Sequence, residues 1–210
     1  VRTPSFDLLL ITDPALPRWL DAVLAAVEAA PRGRIGVLVR NPRAGAAELL
    51  HLACGLRDAI ARRAPLLVHD RVDVALRAGA AGVHLKENGL EVADARALLP
   101  DGAWVGASCH DAASLARRSE ADYVVLGPFG EVPGKAPPLG PERFAALAAA
   151  SRAPVFALGG IDAQSAGAAI GAAAHGVAVV RAIQAAEDPA AAARALLAAL
   201  DRARAEPRRR

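Results

Sequence analysis

The residues best suited to chemistry fall at one recurrent position, directly after short apolar runs. Gly159 and Gly160 close the run PVFALGG. Two glycines in succession let backbone N–H groups approach a ligand with no side chain between. Arg181, beside Val180 at the end of the next run, adds a guanidinium suited to a charge-assisted contact with phosphate. The set points to a phosphorylated small molecule; the plainer alternative is a turn that clears space for helix packing. Asp70, after LLVH, offers a hard oxygen ligand of the kind Mg²⁺ takes, or else a cap for the following helix. Arg40 closes RIGVLVR, where an unpaired cation is costly until an anion arrives. Lys86 follows GVHL, and Ser108 supplies a hydroxyl at the end of WVGAS. Lys135 sits in the Pro/Gly stretch PFGEVPGKAPPLG, as an anion clamp on a closing loop or as a solvated lysine. His84, flanked by apolar residues, reads as a core histidine. Cys109 and His110 are adjacent in an extended run and so face opposite ways, as do His69 and Asp70.

The elements that position these residues alternate in type. Eight β-rich apolar runs, Asp7–Thr12, Arg34–Arg40, Pro65–Asp70, Gly82–Lys86, Trp104–His110, Asp122–Phe129, Pro154–Ile161 and Gly176–Ile183, are separated by Ala/Leu-rich amphipathic stretches. Strands alternating with helices predict a parallel sheet covered by helices. The predicted helices span 19–30, 44–63, 71–78, 92–99, 111–119, 141–150, 163–173 and 189–204. Asp111 and Asp162 are candidate N-caps, and Pro141 and Pro189 suit a first helical turn. Eight such units predict an α/β fold, a single (β/α)₈ TIM barrel over 1–204 with a basic C-terminal tail at 205–210. The doubly wound open sheet is the alternative. In a barrel the polar residues above all lie at the C-terminal strand ends, where barrels place their chemistry.

Composition bounds the partners. The chain has 210 residues, 54% hydrophobic and only 3% aromatic, so Ala, Leu and Val must build the core. The last ten residues hold five arginines against two acids and account for the whole formal net charge of +3. The barrel itself is therefore not a basic nucleic-acid surface. No long uncharged apolar stretch predicts a membrane span, and the first apolar run is too short for a signal peptide, which predicts a cytoplasmic protein. Cys54 and Cys109 lack metal-type spacing and are expected as two buried free thiols.

Taken in order, LLLITD, LLVHDRVDVALRAGAAGVHL, WVGASCH, ADYVVLGPF, PVFALGGI and GVAVVRAI resemble the thiamine phosphate synthase/TenI superfamily nearly end to end. The resemblance implies a homodimeric barrel that joins an aminopyrimidine diphosphate to a thiazole phosphate, releasing diphosphate with the help of Mg²⁺. It assigns catalytic work to Arg40, Asp70, Ser108 and Lys135, with Asp70 also the Mg²⁺ ligand. Binding falls to the matching Gly159 and Gly160 and, from the residues themselves, to Lys86, Val180 and Arg181. Several positions depart from the family pattern. Gln-x-Arg-x-Lys is here Leu38, Arg40 and Pro42, and Asn-Asp is His69-Asp70. Gly-Gln-x-Asp is Lys86, Glu87, Asn88 and Gly89, so the second Mg²⁺ carboxylate is missing from its place, Glu87 is a candidate substitute, and Lys86 is an added cation. Thr-x-Thr-Lys is Val132, Pro133, Gly134 and Lys135, and a usual Ser is Arg181. TenI-like tautomerases carry a His where this chain has Pro128. Three readings stay open: a divergent synthase, which leads; a tautomerase or other isomerase; and a phosphate-metabolite binder without turnover.

Overall fold

The structure, a computed structural model, describes residues 3–60 and 62–206. The strands are β1 (Leu8–Ile11), β2 (Ile35–Val39), β3 (Leu66–His69), β4 (Gly82–Leu85), β5 (Trp104–Cys109), β6 (Tyr123–Leu126), β7 (Val155–Leu158) and β8 (Gly176–Val179). They close in sequence order into one parallel barrel, with β8 pairing back onto β1. The eight strands predicted from the apolar runs are all present, each trimmed at one or both ends.

The helices are α1 (Trp19–Ala29), α2 (Ala46–Ile60), α3 (Val72–Ala78), α4 (Val92–Leu98), α5 (Ala112–Arg117), α6 (Gly140–Ala150), α7 (Ala166–Gly171), α8 (Arg181–Gln184) and α9 (Pro189–Ala205). Asp111 caps α5 in a reciprocal box with Ser114, as its position predicts. Asp162 does not cap α7. Its carboxylate accepts from the amides of Gln164 and Ser165, both at 2.9 Å, and so holds the turn before the helix, whose N-cap is Ser165. The four-residue α8 is additional to the predicted elements. It takes Arg181 off the end of β8 and makes it the first residue of a helix. Helix α9 runs one residue further than expected, to Ala205. Residues 207–210 of the expected tail lie outside the described residues.

Two apolar layers follow from strand alternation. Outward-facing strand residues such as Leu8, Val37, Val68, Val83, Val124 and Val177 pack against the helices. Inward-facing Leu9, Leu38, Leu67, Val125 and Ala178 fill the barrel, together with three aromatic rings. Phe6, Tyr123 and Phe156 meet with ring centroids 5.4–5.6 Å apart. Glycines make room for each ring. A Cβ on Gly36 would lie 3.0 Å from the Phe6 ring, one on Gly106 2.1 Å from Tyr123 Cζ, and one on Gly176 2.8 Å from Phe156 Cε1. A chain poor in aromatics thus concentrates three of its rings in the barrel interior, leaving the opposite end to polar groups.

The N-terminal end is closed by charge. Asp7, buried just before β1, accepts from Arg34 Nε at 3.0 Å and Nη2 at 2.9 Å and is also paired with Arg204 of α9. This ties the last helix to the first strand at the face where barrels are stabilised.

Candidate functional site

At the C-terminal end of the barrel, the inward side chains of β2 to β5 are polar. Thr12 fixes the end of β1 to β2: its hydroxyl donates to Arg40 O at 3.0 Å and accepts from Arg40 N at 2.8 Å. Arg40 is thereby held at the rim, half-buried, and no carboxylate among the described residues pairs with it. His69 and His84 lie side by side across β3 and β4, with ring centroids 6.3 Å apart. Burial pushes His69 down to about 4; the Arg40 and Lys86 charges push the same way and Asp70 opposes them. All three charged side chains therefore act on the same imidazole.

His84 is buried and is held from both sides. Its Nδ1 is 3.1 Å from the Tyr123 hydroxyl and its Nε2 is 3.0 Å from Ser108 Oγ. Burial pushes His84 down to about 3, so the ring is neutral. The Tyr123 proton needs an acceptor and His84 Nδ1 provides it, which leaves the His84 proton on Nε2, donated to Ser108 Oγ. The Ser108 hydroxyl hydrogen is then free to point into the mouth. A histidine that reads as core from its neighbours therefore orients the hydroxyl at the rim.

Asp70 follows β3 with φ 63, in the left-handed region that non-glycine residues rarely occupy. It is not the cap of α3: the N-cap residue is Arg71, and no side chain caps that helix. Instead Lys86 Nζ lies 2.6 Å from Asp70 Oδ2. Glu87, the sequence candidate for the missing carboxylate, turns elsewhere, with Oε2 3.9 Å from His110 Nε2. His110 in turn donates from Nδ1 to Gly127 O at 2.7 Å. Cys109 is buried on the other side of β5, where burial pushes its thiol up to about 11, so the two neighbours form no thiolate–imidazole pair. Cys54 is only half-buried, against the expectation of two buried thiols, because it sits on the flank of α2.

The loop that carries Lys86 hangs on a residue that no motif singles out. Arg118, fully buried just after α5, donates to Leu90 O at 2.5 Å, Glu87 O at 2.8 Å, Lys86 O at 3.3 Å and Gly89 O at 3.4 Å. Arg117 adds a bond to Glu87 O at 2.7 Å. Backbone carbonyls are invisible to motif reading, so only the tertiary structure exposes this clamp.

On the other side of the mouth, Gly159 (φ 101) and Gly160 (φ 64) both need left-handed backbone. The space their Cβ atoms would take is filled by the strand-six loop: Pro128 Cβ lies 2.9 Å from the Gly159 position, and the Gly130 backbone 2.9 Å from that of Gly160. Phe129 N and Gly130 N bond to Leu158 O and Gly159 O, both at 2.8 Å. The glycines thus serve loop packing as well as any ligand. Gln184 seats α8 by donating to Ile11 O at 2.6 Å and accepting from Asp13 N at 3.0 Å. Arg181 is exposed, Val180 is half-buried against the barrel core, and Lys135 is exposed on its loop. Neither Arg181 nor Lys135 has an ion-pair partner among the described residues. The structure brings Arg40, Asp70, Lys86 and Ser108 around the two histidines; Lys135 and Arg181 stand apart from that group.

A surface groove between α1 and α2, lined by Leu24, Val27, Ala59 and Ile60, lies on the outer wall, where Glu28 and Arg63 are paired at 3.1 Å. It holds no candidate catalytic group.

The family model for thiamine monophosphate synthase matches residues 8–183, from the first residue of β1 into α8. The chain belongs to that family. It is similar to the thiamine-phosphate synthase of Laribacter hongkongensis, 42% identical over 200 residues that cover 92% of this chain and 95% of that one. The thiamine-phosphate synthase of Chlorobium luteolum is 40% identical over 211 residues, 98% of each. Among solved structures, the thiamine phosphate pyrophosphorylase of Pyrococcus furiosus superposes with a TM-score of 0.85 at 27% identity, covering 95% of this chain and 98% of that one. The family's barrel therefore accounts for the fold from end to end, and the rim residues above are its candidate working groups. No helix among the described residues is long and apolar enough to cross a membrane.

Proposed function

We propose that this barrel is a thiamine-phosphate synthase, a transferase that joins an aminopyrimidine diphosphate to a thiazole phosphate. The observation that carries the reading is the gathering of Arg40, Lys86, Asp70 and Ser108 at one side of the mouth, in a chain that matches the synthase family along most of its length. In the reaction the C–O bond to diphosphate breaks with its electron pair leaving on oxygen. The thiazole nitrogen then forms the new C–N bond at the pyrimidine methylene carbon. Negative charge grows on the departing diphosphate, and fixed cations aimed there stabilise the transition state. Arg40 and Lys86 supply those charges, and Ser108, oriented by His84, donates a hydrogen bond. The barrel wall holds the two reactants in line and keeps water from the carbocation.

The thiazole phosphate is assigned to the opposite side, at Gly159, Gly160, Val180 and Arg181. A short helix after the last strand is a frequent part of barrel phosphate sites, and α8 supports this placement. Lys135 is assigned to the incoming diphosphate when its loop approaches the mouth. The protein is read as a cytoplasmic homodimer acting on small phosphorylated substrates, with light scattering as the check on its mass.

Mg²⁺ is the cofactor the family implies. The donor set does not fit a protein-held ion: the carboxylate of Asp70 is already matched by the Lys86 ammonium, and Glu87 faces His110. Among the described residues no three His, Cys, Asp or Glu side chains gather as a metal group. No step is assigned to such an ion. The test is diphosphate release from the two substrates. Arg40→Ala is expected to lower kcat by about 10²-fold or more, and unchanged release in that variant would remove Arg40 from the mechanism.

A further inference from the structure

The Asp70 carboxylate is engaged by a cation already in the chain. Oδ2 takes the Lys86 ammonium at 2.6 Å. Oδ1 points at Gly89 and lies 2.5 Å from where a Cβ on that glycine would stand, so the carboxylate occupies the space a side chain at position 89 would need. Asp70 is held in its left-handed conformation, and its N–H donates to His84 O at 2.8 Å, continuing the β3–β4 ladder. Lys86 is fixed from behind by the Arg118 clamp on its loop. A lysine and an aspartate sum to zero charge, as do one divalent cation and two carboxylates. The second carboxylate that the resemblance implies is replaced here by Gly89, and a lysine is added three residues before it. A divalent ion at Asp70 would also have to sit against the ammonium.

We propose that the Lys86 ammonium, oriented by Asp70, is the resident cation that receives a diphosphate group, in the place of a protein-bound divalent metal. Arg40, across the same rim, supplies the second positive charge, and the site carries one net positive charge before its ligand arrives. Diphosphate recognition then needs no metal held by the protein. The ligand's identity rests on the synthase reading; the cation's identity does not.

Inorganic diphosphate titrated calorimetrically into the whole protein in EDTA tests this. Wild type is expected to bind, and Lys86→Gln to weaken binding by about 10- to 100-fold, the loss of one charge-assisted bond. Lys86 is exposed, so the variant is expected to keep the wild-type unfolding temperature. Mn²⁺ alone, followed by its electron paramagnetic resonance signal, is expected to stay free with wild type. It should bind to Lys86→Gly/Gly89→Asp, which restores a second carboxylate, and diphosphate binding by that variant should become metal-dependent. Wild type that binds Mn²⁺ in a manner lost in Asp70→Asn, or that binds diphosphate only with a metal or not at all, overturns the proposal. Metal-free diphosphate binding that depends on Lys86, in a protein that releases no diphosphate from the two substrates, keeps the proposal and removes the synthase reading instead.

Discussion

Replacing Arg118 with methionine removes the donor that holds the Lys86 loop and leaves a shorter unbranched apolar side chain in place of the arginine stem. The guanidinium makes two short bonds, to Leu90 O at 2.5 Å and Glu87 O at 2.8 Å. Three longer contacts reach Lys86 O at 3.3 Å, Gly89 O at 3.4 Å and Glu91 Oε2 at 3.3 Å. Only its Nε lacks a partner. Bonds from a charged donor contribute roughly 1.5–3 kcal/mol each. Counting the two short ones fully and offsetting part with methionine's apolar contacts gives a loss of about 3–4 kcal/mol. For a domain of this size each kcal/mol moves Tm by about 2–4 °C, so Tm should fall by about 6–16 °C. Scanning calorimetry measures the first effect. Diphosphate titration measures the second, a weakened affinity transmitted through the displaced Lys86. Arg118→Lys keeps the charge but cannot span the carbonyls, and it should recover less than half of the loss. A Tm change under about 2 °C in Arg118→Met would refute the idea that this clamp holds the loop.

Three further outcomes follow from other parts of the molecule. Tyr123→Phe removes the proton that fixes the His84 tautomer, so ¹⁵N spectra should show the His84 proton shared between the two ring nitrogens in place of being held on Nε2, with kcat falling more than KM; a proton still held wholly on Nε2 would show that Tyr123 does not set the tautomer. Gly106→Ala places a methyl 2.1 Å from Tyr123 Cζ and should cost about 1–3 kcal/mol in denaturant unfolding, an effect that vanishes if the ring can move aside freely. Stability should decline as pH falls below about 6.5 toward 4: unfolded His69 and His84 take up protons there that the folded protein, with both groups pushed down by burial, does not. A His84→Gln variant should show a shallower decline over that window, and an equal slope would remove His84 as a contributor.

The barrel was legible because each strand is an apolar run ended by a polar or glycine residue, the signature of parallel strands covered by helices. Helix α8 was not, because four residues cannot display a helical period. Arg40, Asp70, Lys86 and Ser108 could be named from their places at strand ends, and the structure gathers them. Their pairing could not be named: Lys86 meets Asp70 only because His69 and His84 are in register across β3 and β4. Gly159 and Gly160 read as room for a ligand, yet their Cβ positions face the strand-six loop, a neighbour distant in sequence. Arg118 carried no local signal, since its partners are carbonyls of another loop.

The most direct test of the account is a stoichiometric one. Wild-type protein given the aminopyrimidine diphosphate and the thiazole phosphate together should yield diphosphate and the coupled phosphate product in equal amounts, followed by mass spectrometry, and Lys86→Gln should slow both in parallel. Binding of both substrates with no diphosphate released would contradict it and leave the barrel a binder of phosphorylated metabolites.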